Sequence, residues 1–173
     1  MQSPDEIFDV VDEHDRVTGQ ATRREVHARH LRHRAIQVLL FNTHGELLVQ
    51  KRSATKDTFP GCCDSSASGH LDAGEDYDAC AYREVREELG LALPSGTLTK
   101  HFQLPATEET GWEFVWIYSV RGDYRVTPHP GEIERVDYLS RQQLADLLIA
   151  RPETCARAFR LIVREAIARG LFP

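Results

Sequence analysis

A chain of 173 residues is long enough for one well-packed domain and short for two. Hydrophobic residues make up 41% and charged residues 28%, a balance that excludes a disordered or fibrous chain. The formal net charge of -6 argues against nonspecific affinity for nucleic acid, because holding a phosphate backbone by charge requires a basic face. A small anionic substrate stays compatible if a cation bridges it to protein carboxylates.

In chain order, residues 7–11 and 17–21 are short apolar stretches around the polar turn 12–16, which predicts a hairpin followed by a short helix near 23–30. Residues 35–41 and 47–50 read as two strands joined by the turn Asn42-Thr43-His44-Gly45, at the centre of a sheet. Pro60, Gly61 and Asp64 mark a loop that leads into a short strand near 63–68. From 76 to 89 the period is helical, with Ala79, Tyr82, Val85 and Leu89 on one stripe and Gly90 as the stop. Strands are expected at 114–120 and 135–139, and helices at 141–150 and 153–169. Helices before and after strands predict an α/β fold, a three-layer α/β/α sandwich around a mixed sheet. Without repeats or linkers the whole of 1–173 reads as a single domain, with 1–33 a hairpin and short helix packed on it.

Four cysteines, Cys62, Cys63, Cys80 and Cys155, form no CxxC pair, and two of them are adjacent, so free thiols are expected. The first 15 residues lack a basic start and an apolar run, and no stretch approaches a membrane span. The expectation is a cytoplasmic, soluble protein with no nucleic-acid or membrane partner. No heptad pattern or apolar stripe distinguishes a monomer from a dimer.

The chemistry lies in a fixed array: Gly69, five residues, Glu75, seven residues, then Arg83-Glu84-Val85-Arg86-Glu87-Glu88-Leu89-Gly90-Leu91. At average residue usage, seven identities and two aliphatic positions would coincide on the order of 10⁻⁹ times per start position. Glu84, Glu87 and Glu88 stand at i, i+3 and i+4, so a helix gathers three carboxylates on one face. Such hard oxygen ligands favour Mg²⁺ or Mn²⁺. A solvated, salt-bridged helix face is the competing reading of EXXEE, but it explains neither Gly69 nor Glu75 nor their offsets.

The array resembles the Nudix signature, GX5EX7REUXEEXGU with U aliphatic, at every fixed position. That resemblance implies a loop-helix-loop in which the Gly69 carbonyl, Glu87 and Glu88 ligate metal, Arg83 orients Glu84, and Glu84 is either a ligand or the water-activating base. It also implies a phosphoanhydride hydrolase acting on a small nucleotide, with nucleoside 5'-di- or triphosphates as the leading class. Lys51 and Arg52, at the end of a strand, are candidate phosphate contacts. Phe59, Phe102, Trp112 and Trp116 are candidates for base stacking or for packing.

Residues 31–75 and the N-terminal segment also look like isopentenyl-diphosphate isomerases and the Nudix hydrolases related to them. The isomerases place a catalytic Cys just before the first Gly of the box, where this chain has Ser68, a far weaker acid. Cys62 and Cys63 lie too early to substitute. His33 and His70 match two histidines of the isomerase metal set, whereas Val26 stands where a third is expected, beside His27. Glu113 matches one of two glutamates, and Gly111 fills the other position. Glu113 reads equally as an extra metal ligand, a general base or an exposed strand residue. The intact Arg83–Glu88 run and Ser68 together favour a hydrolase over an isomerase.

Overall fold

The computed structural model describes residues 3–172, so residues 1, 2 and 173 of the expected domain lie outside it. Strands β1 (Ile7–Val11) and β2 (Val17–Thr22) pair antiparallel as the expected hairpin. Helix α1 (Arg23–Ala28) follows without a break, because Thr22 and Glu25 form a reciprocal capping box. It ends two residues before the sequence suggested, where Arg29 caps it and His30 takes a left-handed backbone.

The main sheet is built around β3 (His33–Phe41), which pairs antiparallel with β4 (Leu47–Arg52) at one end. The predicted strand near 63–68 divides in two. β5 (Cys63–Asp64) pairs with β4, whereas β6 (Ala67–His70) pairs with the first half of β3. Ser66 sits at the split: its Oγ donates to the Leu48 carbonyl and accepts from the Leu40 N–H, satisfying backbone groups that a continuous strand would have paired.

Helix α2 (Tyr77–Leu89) begins at Asp76, whose side chain accepts from the Ala79 N–H, and stops at Gly90, whose φ of 68° favours glycine. After it comes β7 (Thr99–Leu104), an edge strand whose polar alternate positions hid it from the sequence reading. It pairs with β8 (Glu113–Arg121), and β8 runs parallel to β3. β9 (Ile133–Leu139) pairs with β4, making the sheet mixed.

The tail holds α3 (Arg141–Ala150), a 3-10 turn (Pro152–Thr154) and α4 (Arg157–Ala168). The single helix expected over 153–169 is interrupted because Cys155 and Ala156 leave the helical path to bridge β5, with the Ala156 N–H bonded to the Cys63 carbonyl at 2.9 Å.

Alternation along β3 explains the layers. Ala35, Leu39 and Phe41 pack with Leu144, Phe159 and Ile162 of α3 and α4, while Ile36, Val38 and Leu40 pack with Ala81, Val85 and Leu89 of α2. A strand covered on both faces reads as a nearly continuous apolar run. Helices on both sides of the sheet give the α/β/α sandwich. No helix among the described residues is long and apolar enough to cross a membrane.

Candidate active site

The carboxylates of α2 lie beneath β6. Gly69 sits against Glu84 so closely that a Cβ there would fall within the Glu84 carboxyl group. Glu88 reaches further under the sheet, where its Oε2 accepts from the Ser68 N–H at 3.0 Å and from Gln50 Nε2 at 3.1 Å. Glu87 stays on the solvent side of the same face. The helical spacing therefore produces two buried carboxylates and one exposed carboxylate around the β6 edge.

Arg83 ties the array together. Its Nε and Nη2 grip both oxygens of Glu75 at 2.8 Å, Nη1 meets Glu84 at 2.5 Å, and Nη2 also donates to the His70 carbonyl at 3.0 Å. The offset between Glu75 and Arg83 thus spans the turn into the helix and fixes the guanidinium by a two-point contact. Burial works against the Glu75 charge, but Arg83 and the Asp72 N–H outweigh it and hold the carboxyl below its ordinary range. Glu84 and Glu88 move the other way. Burial, opposed by Arg83, pushes Glu84 up to about 7; burial and the neighbouring Glu84 push Glu88 up to about 8.

Lys56, which sequence reasoning passed over, enters this group from the loop after β4. It forms a buried ion pair with Glu132 and is close enough to offset the charges of Glu84 and Glu88. Only its basic character in a loop could have marked it. The site opens into a cavity of about 440 Å³ bordered by Phe8, Asp72, His129 and Glu132 as well as by the acidic helix face.

A second cavity of about 390 Å³ lies toward α4, with Arg52, Ser68, Gly69, Trp112 and Glu113 among its lining residues. His70 borders both cavities. Its Nδ1 faces the Arg23 guanidinium at 3.0 Å, and its Nε2 lies 3.0 Å from Glu113 Oε1. Since a guanidinium only donates, Nδ1 accepts and the proton sits on Nε2, which donates to Glu113. Burial, against the pull of Glu113, brings His70 down to about 3, consistent with that neutral ring. Glu113 loses solvation too, but His70 and His33 more than compensate and keep its carboxyl below the usual range.

His27, which the sequence placed only beside the position expected for a third histidine, joins the other two. One turn of α1 brings it beside His33 and His70, with ring centroids 5.2 Å from each, and one nitrogen from each of the three falls within 4.8 Å of the others. The Nε2 atoms of His27 and His33 are buried without hydrogen-bond partners. His33 Nδ1 donates to the Leu31 carbonyl at 2.9 Å, the kind of contact that orients a ligating imidazole. Val26, at the position where a histidine was sought, is fully buried in the core.

The two basic candidates separate. Arg52 lines the second cavity and pairs with buried Asp64 at 3.0 Å. Lys51, expected beside a phosphate, instead pairs with Glu134 of β9 at 2.8 Å in a groove beside α3. Successive side chains of a strand face opposite sides, and Gln50 takes the side that reaches Glu88. Of the aromatic candidates, Phe59 and Trp112 line the second cavity. Phe102 packs in the core, and Trp116 meets Tyr77 and Lys100. Cys62 and Cys63 are committed to the C-terminal junction, through the Glu153 carbonyl and the Cys155 bridge.

The sequence pattern of the NUDIX domain matches residues 31–159. An uncharacterized Nudix hydrolase of Streptomyces coelicolor is 40% identical over 147 residues, 83% of this chain and 80% of that protein. Isopentenyl-diphosphate delta-isomerase 2 of Homo sapiens is 33% identical over 172 residues, 86% and 75% of the two chains. A crystal structure of a Deinococcus radiodurans protein superposes with a TM-score of 0.81 at 29% identity, covering 92% of this chain and 98% of the other. The chain belongs to the Nudix family. It is a hydrolase of that family.

Proposed function

We propose that this hydrolase cuts a phosphoanhydride bond in a nucleoside 5'-di- or triphosphate with Mg²⁺ or Mn²⁺. The observation that carries the reading is the pairing of buried Glu84 with buried Glu88 beside the Gly69 backbone, an all-oxygen donor set. Glu84, Glu87, Glu88 and the Gly69 carbonyl would hold the ion, which when bound offsets phosphate charge and makes water a better nucleophile.

The chain's own groups do the rest. Arg83 fixes Glu84 in place, and Ser68 and Gln50 fix Glu88 through one oxygen. Where it is not itself bound to the ion, Glu84 is the carboxylate that Arg83 places to take the proton of the attacking water. Glu113 is a poorer base, since His70 holds its carboxylate in the ionised, hydrogen-bonded form. Lys56 supplies a cation next to the incoming phosphates. The four free cysteines support a reducing, cytoplasmic setting.

A panel of nucleoside di- and triphosphates assayed with Mg²⁺ and Mn²⁺ tests this reading. Wild type should release phosphate or pyrophosphate only with metal, and Glu84→Gln should lower kcat by roughly 10²- to 10⁴-fold. Glu87→Gln and Glu88→Gln should lose activity as well. Full activity in those variants, or no turnover of any nucleotide, would refute it.

One observation favours a second reading as an isoprenoid-diphosphate isomerase: the His27, His33 and His70 cluster beside Glu113. Two buried imidazole nitrogens without hydrogen bonds, that of His33 lying 3.6 Å from Glu113, fit a transition metal better than Mg²⁺. Ser68 stands against it. Exchange of solvent deuterium into isopentenyl diphosphate by the active protein is the outcome this second reading requires.

A further inference from the structure

From Ala35 to Phe41, β3 is apolar except at Gln37, which lies on the α4 side between Ala35 and Leu39. Gln37 is only 6% exposed, and its Oε1 is buried with no hydrogen-bond partner. A buried acceptor left unsatisfied is unfavourable, and an apolar residue would remove the penalty at a position whose neighbours are already apolar. Gln37 lines the cavity of about 390 Å³ that shares His70 with the carboxylate site.

Two aromatic side chains line the same cavity from strained backbone. Phe59 has φ of 49° and Trp112 has φ of 66°, in the left-handed region that bulky residues avoid. Phe59 is also 44% exposed, one of the few large apolar side chains in the protein to face solvent. Strain and exposure kept together at a cavity mouth are features of ligand-contacting residues. The cavity volume falls in the range of small-molecule pockets, about 300–1,000 Å³.

We infer that this cavity seats the nucleobase, with Gln37 as the specificity-determining residue that pairs with the base edge and Phe59 and Trp112 against the base face. The inference rests on the nucleotide reading above and deepens it. A carboxamide offers one donor and one acceptor side by side, which matches a base edge presenting an adjacent acceptor and donor. A hydrocarbon tail in the same space would leave the amide unpaired. His70 borders both cavities, so the base site and the cavity of Glu84 and Glu88 share a wall, and the ligand's phosphates would have to pass it to reach those carboxylates.

The test compares wild type, Gln37→Leu and Gln37→Glu with the four common nucleoside triphosphates, reading kcat, KM and Tm. Gln37→Leu should raise KM about tenfold or more, as expected when a polar site loses a substrate hydrogen bond. Its kcat should stay within about threefold, since the contact is uniform between ground and transition states. Its Tm should equal or exceed that of wild type, whereas a structural role for the amide would lower Tm. Gln37→Glu, which only accepts, should shift relative kcat/KM toward guanine, whose edge presents two adjacent donors, by roughly tenfold. Unchanged KM and base order in both variants, with hydrolysis intact, overturns this inference alone. No nucleotide turnover by wild type overturns it together with the hydrolase reading.

Discussion

Glu88 shows how one side chain couples stability to function. Its pKa is raised from the carboxylate value to about 8 in the folded chain, and that of Glu84 to about 7. At these two carboxyls the folded state holds more protons than the unfolded state between about pH 4.5 and 8, whereas buried His70 and His27, brought down to about 3 and about 4, hold fewer below about 6.5 and offset them there. The contribution of the two carboxyls is fully present below the unfolded value and is lost as pH rises through 7 and 8. The metal-free protein should thus show a Tm that declines from about pH 6.5 to pH 8, followed by scanning fluorimetry. Glu88→Gln, which cannot ionise, should flatten that decline and raise Tm at pH 8.5 while losing most of the Tm gain from Mn²⁺. A steeper decline in the variant would contradict the assignment. Binding of cation requires both carboxylates ionised, so the Mn²⁺ gain in wild type should grow with pH. These three glutamates were legible in the sequence because helical geometry converts spacing into a shared face. Lys56 and Glu132 were not, since 76 residues separate partners that only the fold brings together.

At the scale of elements, β6 approaches α2 closely because Gly69 has no side chain to hold them apart. Gly69 faces the Glu84 carboxyl directly, so any Cβ must displace it. Gly69→Ala should leave secondary structure by circular dichroism unchanged while kcat falls about 10²-fold, the effect of an ångström-scale misplacement at a reacting centre. A rate near wild type would mean that Glu84 tolerates movement and is not the base. The ends of α2 were readable from Asp76 and Gly90, whose capping chemistry is local. The division of 63–70 into β5 and β6 was not, because it depends on which neighbour each half finds. The same holds for the tail, where pairing of Cys155 with β5 overrides the helical period of 153–169.

At the scale of the whole molecule, the N-terminal hairpin acts as a brace for the site. Phe8 is buried and stacks on His70 at 4.9 Å and His33 at 5.8 Å. Asp9 accepts from the Gly74 N–H, and Asp15 in the hairpin turn receives bonds from Arg34, Tyr77 and Gln103. Phe8→Ala should cost about 3 kcal/mol, in line with other buried Phe truncations. For a chain of this size that is a Tm drop of about 6–12 °C. Hairpin and sandwich should nevertheless unfold in one calorimetric transition; two separate transitions would divide the expected single domain at residue 33.

The sequence by itself determined the reaction class, the acidic helix and its caps, and the two-faced burial of β3, because each is written in spacing over a few residues. Only the tertiary structure decided which residues share a cavity. It sent Lys51 away from the site and Lys56 into it, gathered His27 with His33 and His70, and brought Gln37 into one cavity with Phe59 and Trp112. Such contacts depend on strand order and on which face of an element is covered, quantities that local periodicity does not encode.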